Sequence, residues 1–471
     1  MKVPARWLLL PMALAGGMQA MAEEPLTLWE AMRRAAEANP AVRSRQVEVA
    51  RQTLEQDIAR GQHYPKLELY GGVTHYGYPS FVTPIRQAGV FPPMDKDISN
   101  LGVTITLPVY SGGKLAAGET LAAQHREAAL QALRSSGQDL LFNVVASYAR
   151  ALHFKHLGRT LDSRMAALER EERDIGLRIE HGRAARLELI RLQTQLSQAR
   201  HDGVVIAQGE KDALSLLASL MGESRPVTVL ADLGGTAPVL PESAEEALGR
   251  ALRQRPDLLE LQAMGKAAEA KTDIARGDRL PQLNLVARAQ KSAGSDSTVY
   301  NDWQAGLQLS IPLFDGSVRR RRVAQARLEE RQVQLMQEDA RNRLATEVQQ
   351  ASGTLSEAQA RLAAATQGEL EAGEVLRIET LRYDGGESTI TDLLLAESAR
   401  WGAVATRLQA EYDIAVSQAR LLRAIGELAP GSFEPVIAGG SKAASSGPAG
   451  TGGRDAPATR HAGAPFSGLE F

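Results

Sequence analysis

Two stretches decide how this chain is read: Ser99–Leu115, SNLGVTITLPVYSGGKL, and Asp302–Arg319, DWQAGLQLSIPLFDGSVR. In each, apolar and polar residues alternate, a proline follows, then a glycine turn, then a long helical pattern. Leu101, Val103, Ile105 and Leu107 share one face of the first; Trp303, Ala305, Leu307, Leu309 and Ile311 share one face of the second. Period-two alternation over this length predicts strands. More than a hundred residues of helix-type sequence follow each strand, a combination foreign to ordinary globular domains.

The sequence around them repeats. Pro40 and Pro65 recur as Pro256 and Pro281, both 216 residues on, and Asp57-Ile58-Ala59-Arg60-Gly61 recurs as Asp273-Ile274-Ala275-Arg276-Gly277. Pro108 recurs as Pro312 after 204 residues, a shorter second loop absorbing the difference. Independent residues that keep register signal an internal duplication. Each half carries two predicted strands, about Lys66–Gly77 with Ile98–Tyr110, and Gln282–Lys291 with Asp302–Phe314. The loops between them, Tyr78–Asp97 and Ser292–Asn301, are rich in Pro, Gly, Ser and Asp.

The expected organisation follows. Residues 1–22 read as an export signal: Lys2 and Arg6, a short apolar core, and Ala20-Met21-Ala22 before the cut. Residues 23–242 form the first repeat, with long helices over 114–222 and a linker. Residues 243–428 form the second, with long helices over 316–428. Residues 429–471, rich in Gly, Ala, Ser, Pro and Thr, read as a disordered tail. Thr27 and Glu30 suggest a capping box, and Pro40 the first turn of a second helix.

Composition narrows the function. Only 4% of residues are aromatic and the net charge is -2, so neither a thick globular core nor a nucleic-acid partner is expected. Without cysteine, disulfides, thiolate metal sites, thiol nucleophiles and cysteine lipidation are all excluded. Ser111-Gly112-Gly113-Lys114 lacks the first glycine and the Ser/Thr of a phosphate loop. His153 and His156 lie three apart without a third ligand and are expected on a solvated surface. No catalytic constellation stands out; no enzyme, cofactor or metal is expected.

Leu189, Leu192, Leu196, Ala199, Gly203 and Ile206 step by threes and fours, as do Leu344, Val348, Ala351, Leu355, Ala358, Leu362 and Ala365. These are heptad seams. Leu140 and Val144 run beside Leu141, Val145, Tyr148 and Leu152, so this helix is expected to have neighbours on two sides. Each long helical stretch breaks once, at Arg178–Gly182 and at Arg382–Gly386. A pore-less periplasmic coiled-coil protein is the rival reading. It leaves the strands unexplained. Open strand edges are not tolerated in lipid, and single-chain membrane barrels begin at about eight strands. Four strands per chain therefore have to be pooled, and three chains supply twelve, enough for a water-filled lumen.

At this point the chain resembles the TolC-like outer-membrane efflux and secretion proteins of Gram-negative bacteria. The resemblance runs from about Leu26 to Leu428 and rests on LTLWEAMRRAAEANPAV, QHYPKLELYG, TLPVYSGGK, SIPLFDGS and RYDGGESTITDLLLAES, in this order. It implies a homotrimer: a 12-stranded β-barrel in the outer membrane over a long α-helical barrel in the periplasm. It implies an exit duct for a tripartite efflux or type I secretion system, with a periplasmic adaptor and an inner-membrane pump as partners. The helical breaks would form the tip, with Arg178, Gly182, Leu189, Arg382, Gly386 and Leu393 contacting the adaptor. Tyr383 and Asp392 would form the gate. Leu395 stands where a second gate acid can occur, and Ser388 where a gate arginine can occur.

Overall fold

The structure, a computed structural model, describes residues 25–224, 227, 230–232 and 238–433. The first half runs α1 (Leu28–Ala38), α2 (Pro40–Gly61), β1 (Lys66–Phe81), β2 (Met94–Tyr110), α3 (Lys114–Glu180) and α4 (Arg186–Leu220). The second runs α5 (Ala244–Gln254), α6 (Pro256–Gly277), β3 (Gln282–Ala293), β4 (Val299–Ser310), α7 (Val318–Asp384) and α8 (Ile390–Ile425). Helices of 11, 22 and 67 residues occur in that order in both halves, so the duplication extends to element lengths.

Local chemistry sets the helix starts. Thr27 caps α1 by accepting from Glu30 N at 3.2 Å, and Ser243 caps α5 from Glu246 N at 3.1 Å. The expected capping box on α1 is only half made. The Glu30 carboxylate binds Arg33 at 2.8 Å and Arg34 at 2.9 Å instead, because charged donors one turn away outcompete a backbone N–H. Pro40 and Pro256 open α2 and α6, where their missing N–H costs nothing.

The strands form one antiparallel sheet in the order β1-β2-β3-β4. β1 and β4 each keep one free edge. The expected strand limits need correction. The ladders run further into the loops, which shrink to 82–93 and 294–298. Asp95 helps hold them together, its carboxylate accepting from Ser295 N at 2.7 Å. β4 stops at Ser310 rather than Phe314, because Ser310 already faces Gln282, the first residue of β3. Pro79 sits in the irregular segment of β1 between His75 and Ser80, where a free edge tolerates a missing donor.

Register places the apolar residues together. Leu67 faces Ile105, which faces Ala287, which faces Ala305. The neighbouring row on that face is Leu69, Val103, Ala289 and Trp303, with Trp303 77% exposed. The other face carries Glu68, Thr104, Arg288 and Gln304 in one row and Tyr70, Gly102, Gln290 and Asp302 in the next. One side of the sheet is apolar and solvent-exposed and the other polar, the reverse of a soluble sandwich.

At 1.5 Å per residue α3 and α7 are each about 100 Å long. No single partner covers such a helix. Near its start α3 is flanked by α2 (Arg60–Glu119, 2.7 Å) and by α6 (Lys114–Asp278, 2.9 Å). Further along it packs on α4, where Gly203 meets Leu161 and Arg200 pairs with Glu169. Mid-helix, the two expected stripes are both buried: Leu140 and Val144, and Leu141, Val145, Tyr148 and Leu152. They belong to a central core shared with α1, α4, α5, α7 and α8. A second core lies at the far end.

The Tyr148 hydroxyl donates between Leu26 O at 2.7 Å and Ala231 O at 2.6 Å. It thereby clamps the N-terminal arm and the inter-repeat linker, which bridge each other at Leu26 and Leu230. Beside it, His156 lies 3.0 Å from Asp232. His153 is not on a solvated surface as expected: it is half-buried against Phe154 and Tyr412, and burial lowers its pKa. The expected signal at 1–22 lies outside the described residues. Of the expected tail at 429–471, Pro430–Phe433 form a 3-10 turn with Phe433 packed on the central core, and the rest lies outside the described residues.

Candidate functional site at the helical tip

Both breaks are built the same way. Gly182 and Gly386 take φ of 68° and 77°, a left-handed conformation that suits glycine. Arg183 N donates to Arg178 O at 2.7 Å and Glu387 N to Arg382 O at 2.7 Å, the six-to-one bond that satisfies a helix C-terminus. Leu189 and Leu393 then fold back into the tip core with Leu192, Leu196, Ile390 and Leu394. Backbone and leucine are thus alike in the two halves.

The charged partners differ. Arg382 is exposed and paired with Glu379 at 2.6 Å. Arg178 is half-buried, with its guanidinium carbon 5.3 Å from the centre of the Tyr383 ring. Tyr383 is buried in the tip core. Burial, reinforced by the Glu171 carboxylate, pushes its pKa up to about 12. Asp392 is exposed and closes a capping box on α8. Its carboxylate accepts from Thr389 N at 3.1 Å and Thr389 Oγ1 at 2.7 Å, and these bonds lower its pKa. No hydrogen bond among the described residues joins Tyr383 to Asp392; within one chain they do separate jobs.

Residues that sequence reading missed complete this site. On α3, Leu161, Leu168 and Ile175 are buried at seven-residue spacing, and three positions after each stand Arg164, Glu171 and Arg178. That is an apolar seam whose second position is charged, a pattern visible in the sequence once both rows are written in heptads. Arg164 stacks near Trp401 at 5.8 Å and reaches Gln195 at 3.3 Å. Glu397 of α8 lies beside Arg164 and Glu171, and burial raises its pKa and that of Glu171. The Tyr383 hydroxyl and one oxygen each of Glu171 and Glu397 are buried without a hydrogen-bond partner. The two helical hairpins therefore meet through a polar seam that is incompletely satisfied within the chain, which costs stability.

Among the described residues no cluster of His, Asp and Glu is placed to hold a metal, and no helix is long and apolar enough to cross a membrane. The sequence matches the family described as outer membrane efflux protein over residues 31–223 and 247–427. The chain belongs to that family. It is a channel protein of the outer membrane, not an enzyme, and its long helices project into the periplasm.

Relatives agree along two thirds of the chain or more. Protein CyaE of Bordetella pertussis is 26% identical over 419 residues, covering 86% of this chain and 85% of that protein. The alkaline protease secretion protein AprF of Pseudomonas aeruginosa is 27% identical over 331 residues, 67% of this chain and 68% of its own. The outer-membrane channel OprN has the same fold, with a TM-score of 0.74 at 19% identity over 85% of this chain and 90% of that one. The open-state MtrE channel of Neisseria gonorrhoeae gives 0.73 at 19% identity, over 85% and 88%.

Proposed function

We propose that three copies of this channel join edge to edge, β4 of one on β1 of the next, into a 12-stranded barrel above a helical barrel. The assembly is the exit duct of a tripartite efflux or type I secretion system. A periplasmic adaptor docks at the tip, and an inner-membrane pump feeds it.

One observation carries this reading. The junction between the two halves of the chain is a template for the junction between chains. Inside the chain, β2 pairs with β3, α6 packs along α3, and Ala263 and Ala270 of α6 are buried. The equivalents of these residues on α2 are Val47 and Leu54. Ala270 is 4% exposed, whereas Leu54 is 63% exposed. Gly277 is buried against Gly112 and Lys114, whereas a Cβ at its equivalent Gly61 meets nothing within 4 Å. An apolar helix face and a strand edge are both open on the same element pair, and the α7–β4 side of a second copy matches both. CyaE and AprF, the latter named for protease secretion, support a secretion role; OprN and MtrE support the channel fold.

At the tip, Tyr383 and Asp392 close the gate, and the Arg164–Glu171–Arg178 seam holds the hairpins until the adaptor engages. Of the six tip residues, Gly182, Arg382 and Gly386 form the adaptor-facing surface with Arg178 at its edge, and Leu189 and Leu393 support it from beneath. The two glycine turns expose backbone there, and the two leucines fix each turn to the core.

Cysteine pairing tests the assembly, because the chain has none of its own. Val103 faces Ala289 across the internal junction; their repeat equivalents are Leu307 and Val73. Val73→Cys with Leu307→Cys is expected to give disulfide-linked trimers that carry ion current across planar bilayers. A monomer in detergent, without current, sinks the proposal.

A further inference from the structure

The turns that leave the two strand pairs share a backbone and differ in chemistry. Gly112 and Gly316 both have φ of 66°. The first turn is sealed: a Cβ on Gly112 would lie 2.7 Å from Gly277 O, and Lys114 Nζ is 2.9 Å from Asp278. Leu115, Ala116, Ala117 and Gly118 follow it. The second turn is open. Nothing lies within 4 Å of a Cβ at Gly316 within one chain, where the trimer would place the neighbour's Gly61; Leu313 and Phe314 are 92% and 89% exposed, and their equivalents Val109 and Tyr110 keep 54% and 49% even at the covered internal junction. Where the first copy has its small apolar run, the second has Arg319, Arg320, Arg321 and Arg322.

Arg319 pairs with Asp315 at 3.1 Å. Arg320, Arg321 and Arg322 are exposed, and no ion pair among the described residues includes them. Their position works against the fold. Adjacent like charges repel, and the first turn of a helix is already the positive end of its dipole. Ser317, at the N-cap, supplies no side-chain cap. The first copy shows that the turn forms without arginine, so folding does not explain the cluster. An external anion does.

We infer that the corner Leu313–Arg322 is a lipid-docking surface. Leu313 and Phe314 enter the acyl edge of the periplasmic leaflet, and Arg320, Arg321 and Arg322 hold the phosphates of anionic headgroups. The corner continues the apolar sheet face through Leu307, Leu309 and Ile311. Tyr64 and Tyr110 are exposed at the same end of the strands, as interfacial aromatics are. The inference rests on the barrel reading above, which puts this end of the sheet at the periplasmic boundary. It commits to lipid because unbroken apolar surface leads into the charges.

The test uses the full-length channel in lipid nanodiscs, with Phe314→Trp as reporter and Trp303→Phe to remove the nearby background. Brominated phosphatidylglycerol is expected to quench the reporter with an apparent association about fivefold or more above that of brominated phosphatidylcholine, one basic residue at a membrane surface being worth about that factor. Arg320→Gln with Arg321→Gln and Arg322→Gln should bring the ratio close to unity while trimer and conductance persist. The triple lysine variant should keep it, and millimolar inorganic phosphate should not abolish it. Equal quenching by the two lipids overturns the inference. So does dissociation of the glutamine variant with an unchanged lipid ratio, which would mean that the arginines pair with a neighbouring subunit's acids. If the unmodified protein is monomeric and carries no current, the barrel reading itself fails, and that outcome is read before any lipid is compared.

Discussion

Arg178 holds its guanidinium 5.3 Å from the ring centre of Tyr383 and so ties the first helical hairpin to the second. A contact of this kind is worth about 0.5–2 kcal/mol depending on desolvation. The Tyr383 hydroxyl adds no hydrogen bond of its own within the chain. Tyr383→Phe should therefore leave tip stability nearly unchanged, whereas Tyr383→Ala should lower it by roughly 3 kcal/mol. Hydrogen exchange of the α7 and α8 amides near the break reads both.

Asp392 has a capping job and a proposed gating job, and these separate experimentally. Thr389→Ala removes the cap and should loosen the start of α8 by about 1 kcal/mol. Asp392→Ala keeps the backbone N–H that Thr389 caps but removes the carboxylate half of the capping box and the charge together. If three Asp392 carboxylates narrow the lumen, this variant should raise single-channel conductance and reduce cation selectivity beyond anything Thr389→Ala does. Equal effects of the two variants would leave Asp392 with capping alone.

Tip packing should respond to pH through Glu171 and Glu397. Burial raises both pKa values above the ordinary glutamate range. At Glu171, Arg178 and the facing Tyr383 hydroxyl oppose the rise while Asp174 and Asp384 add to it; at Glu397, Arg164 opposes it and Glu171 adds to it. An acid raised in the folded state binds its proton more tightly there, so its contribution is complete below the unfolded pKa and fades as pH climbs through the folded one. Acidification from neutral should thus tighten the tip and lengthen closed intervals in bilayer recordings. Glu171→Gln with Glu397→Gln should remove the dependence and hold the tip tight at neutral pH.

On the polar face of the sheet, Tyr70 lies across β2 and donates to Gln290 at 2.8 Å, with Arg288 5.3 Å from its ring centre. Gly102 makes this possible: a Cβ there would sit 2.6 Å from the Tyr70 hydroxyl and 2.9 Å from Ala289 O. The tyrosine can swing away but the backbone oxygen cannot. Gly102→Ala should cost about 1–3 kcal/mol. Tyr70→Ala added to it should restore only part of the loss, measured as the temperature at which the trimer dissociates on gels.

Tyr148→Phe deletes the hydroxyl that clamps the arm and the linker at Leu26 and Ala231. One buried carbonyl then loses its donor, at about 1–3 kcal/mol. Faster proteolysis of the linker in the folded channel is the expected readout.

Much of this was legible in the residues. Alternation around Leu101–Leu107 and Trp303–Ile311, the recurring prolines and the two glycine breaks specify strands, duplication and hairpins through short-range rules: side-chain period, absent N–H groups, positive φ. The charged heptad row Arg164, Glu171, Arg178 was also legible, but charge at regular spacing reads as a solvated face until a second hairpin is seen to cover it. Tyr383 and Asp392 stand nine residues apart, close enough to suggest one cluster. Yet the Gly386 turn sends one side chain into the core and leaves the other capping α8.

Taken alone, the sequence determined which segments are strand, which are helix and that the halves are copies, because those choices depend on neighbours within a few positions. Tertiary structure alone decided which copy of each face is covered. Leu54 and Ala270 hold equivalent places in equivalent helices, and one is exposed and the other buried because a folded chain has one internal junction and two free ends. Local pattern is the same at both places; what differs is which element arrives from far along the chain.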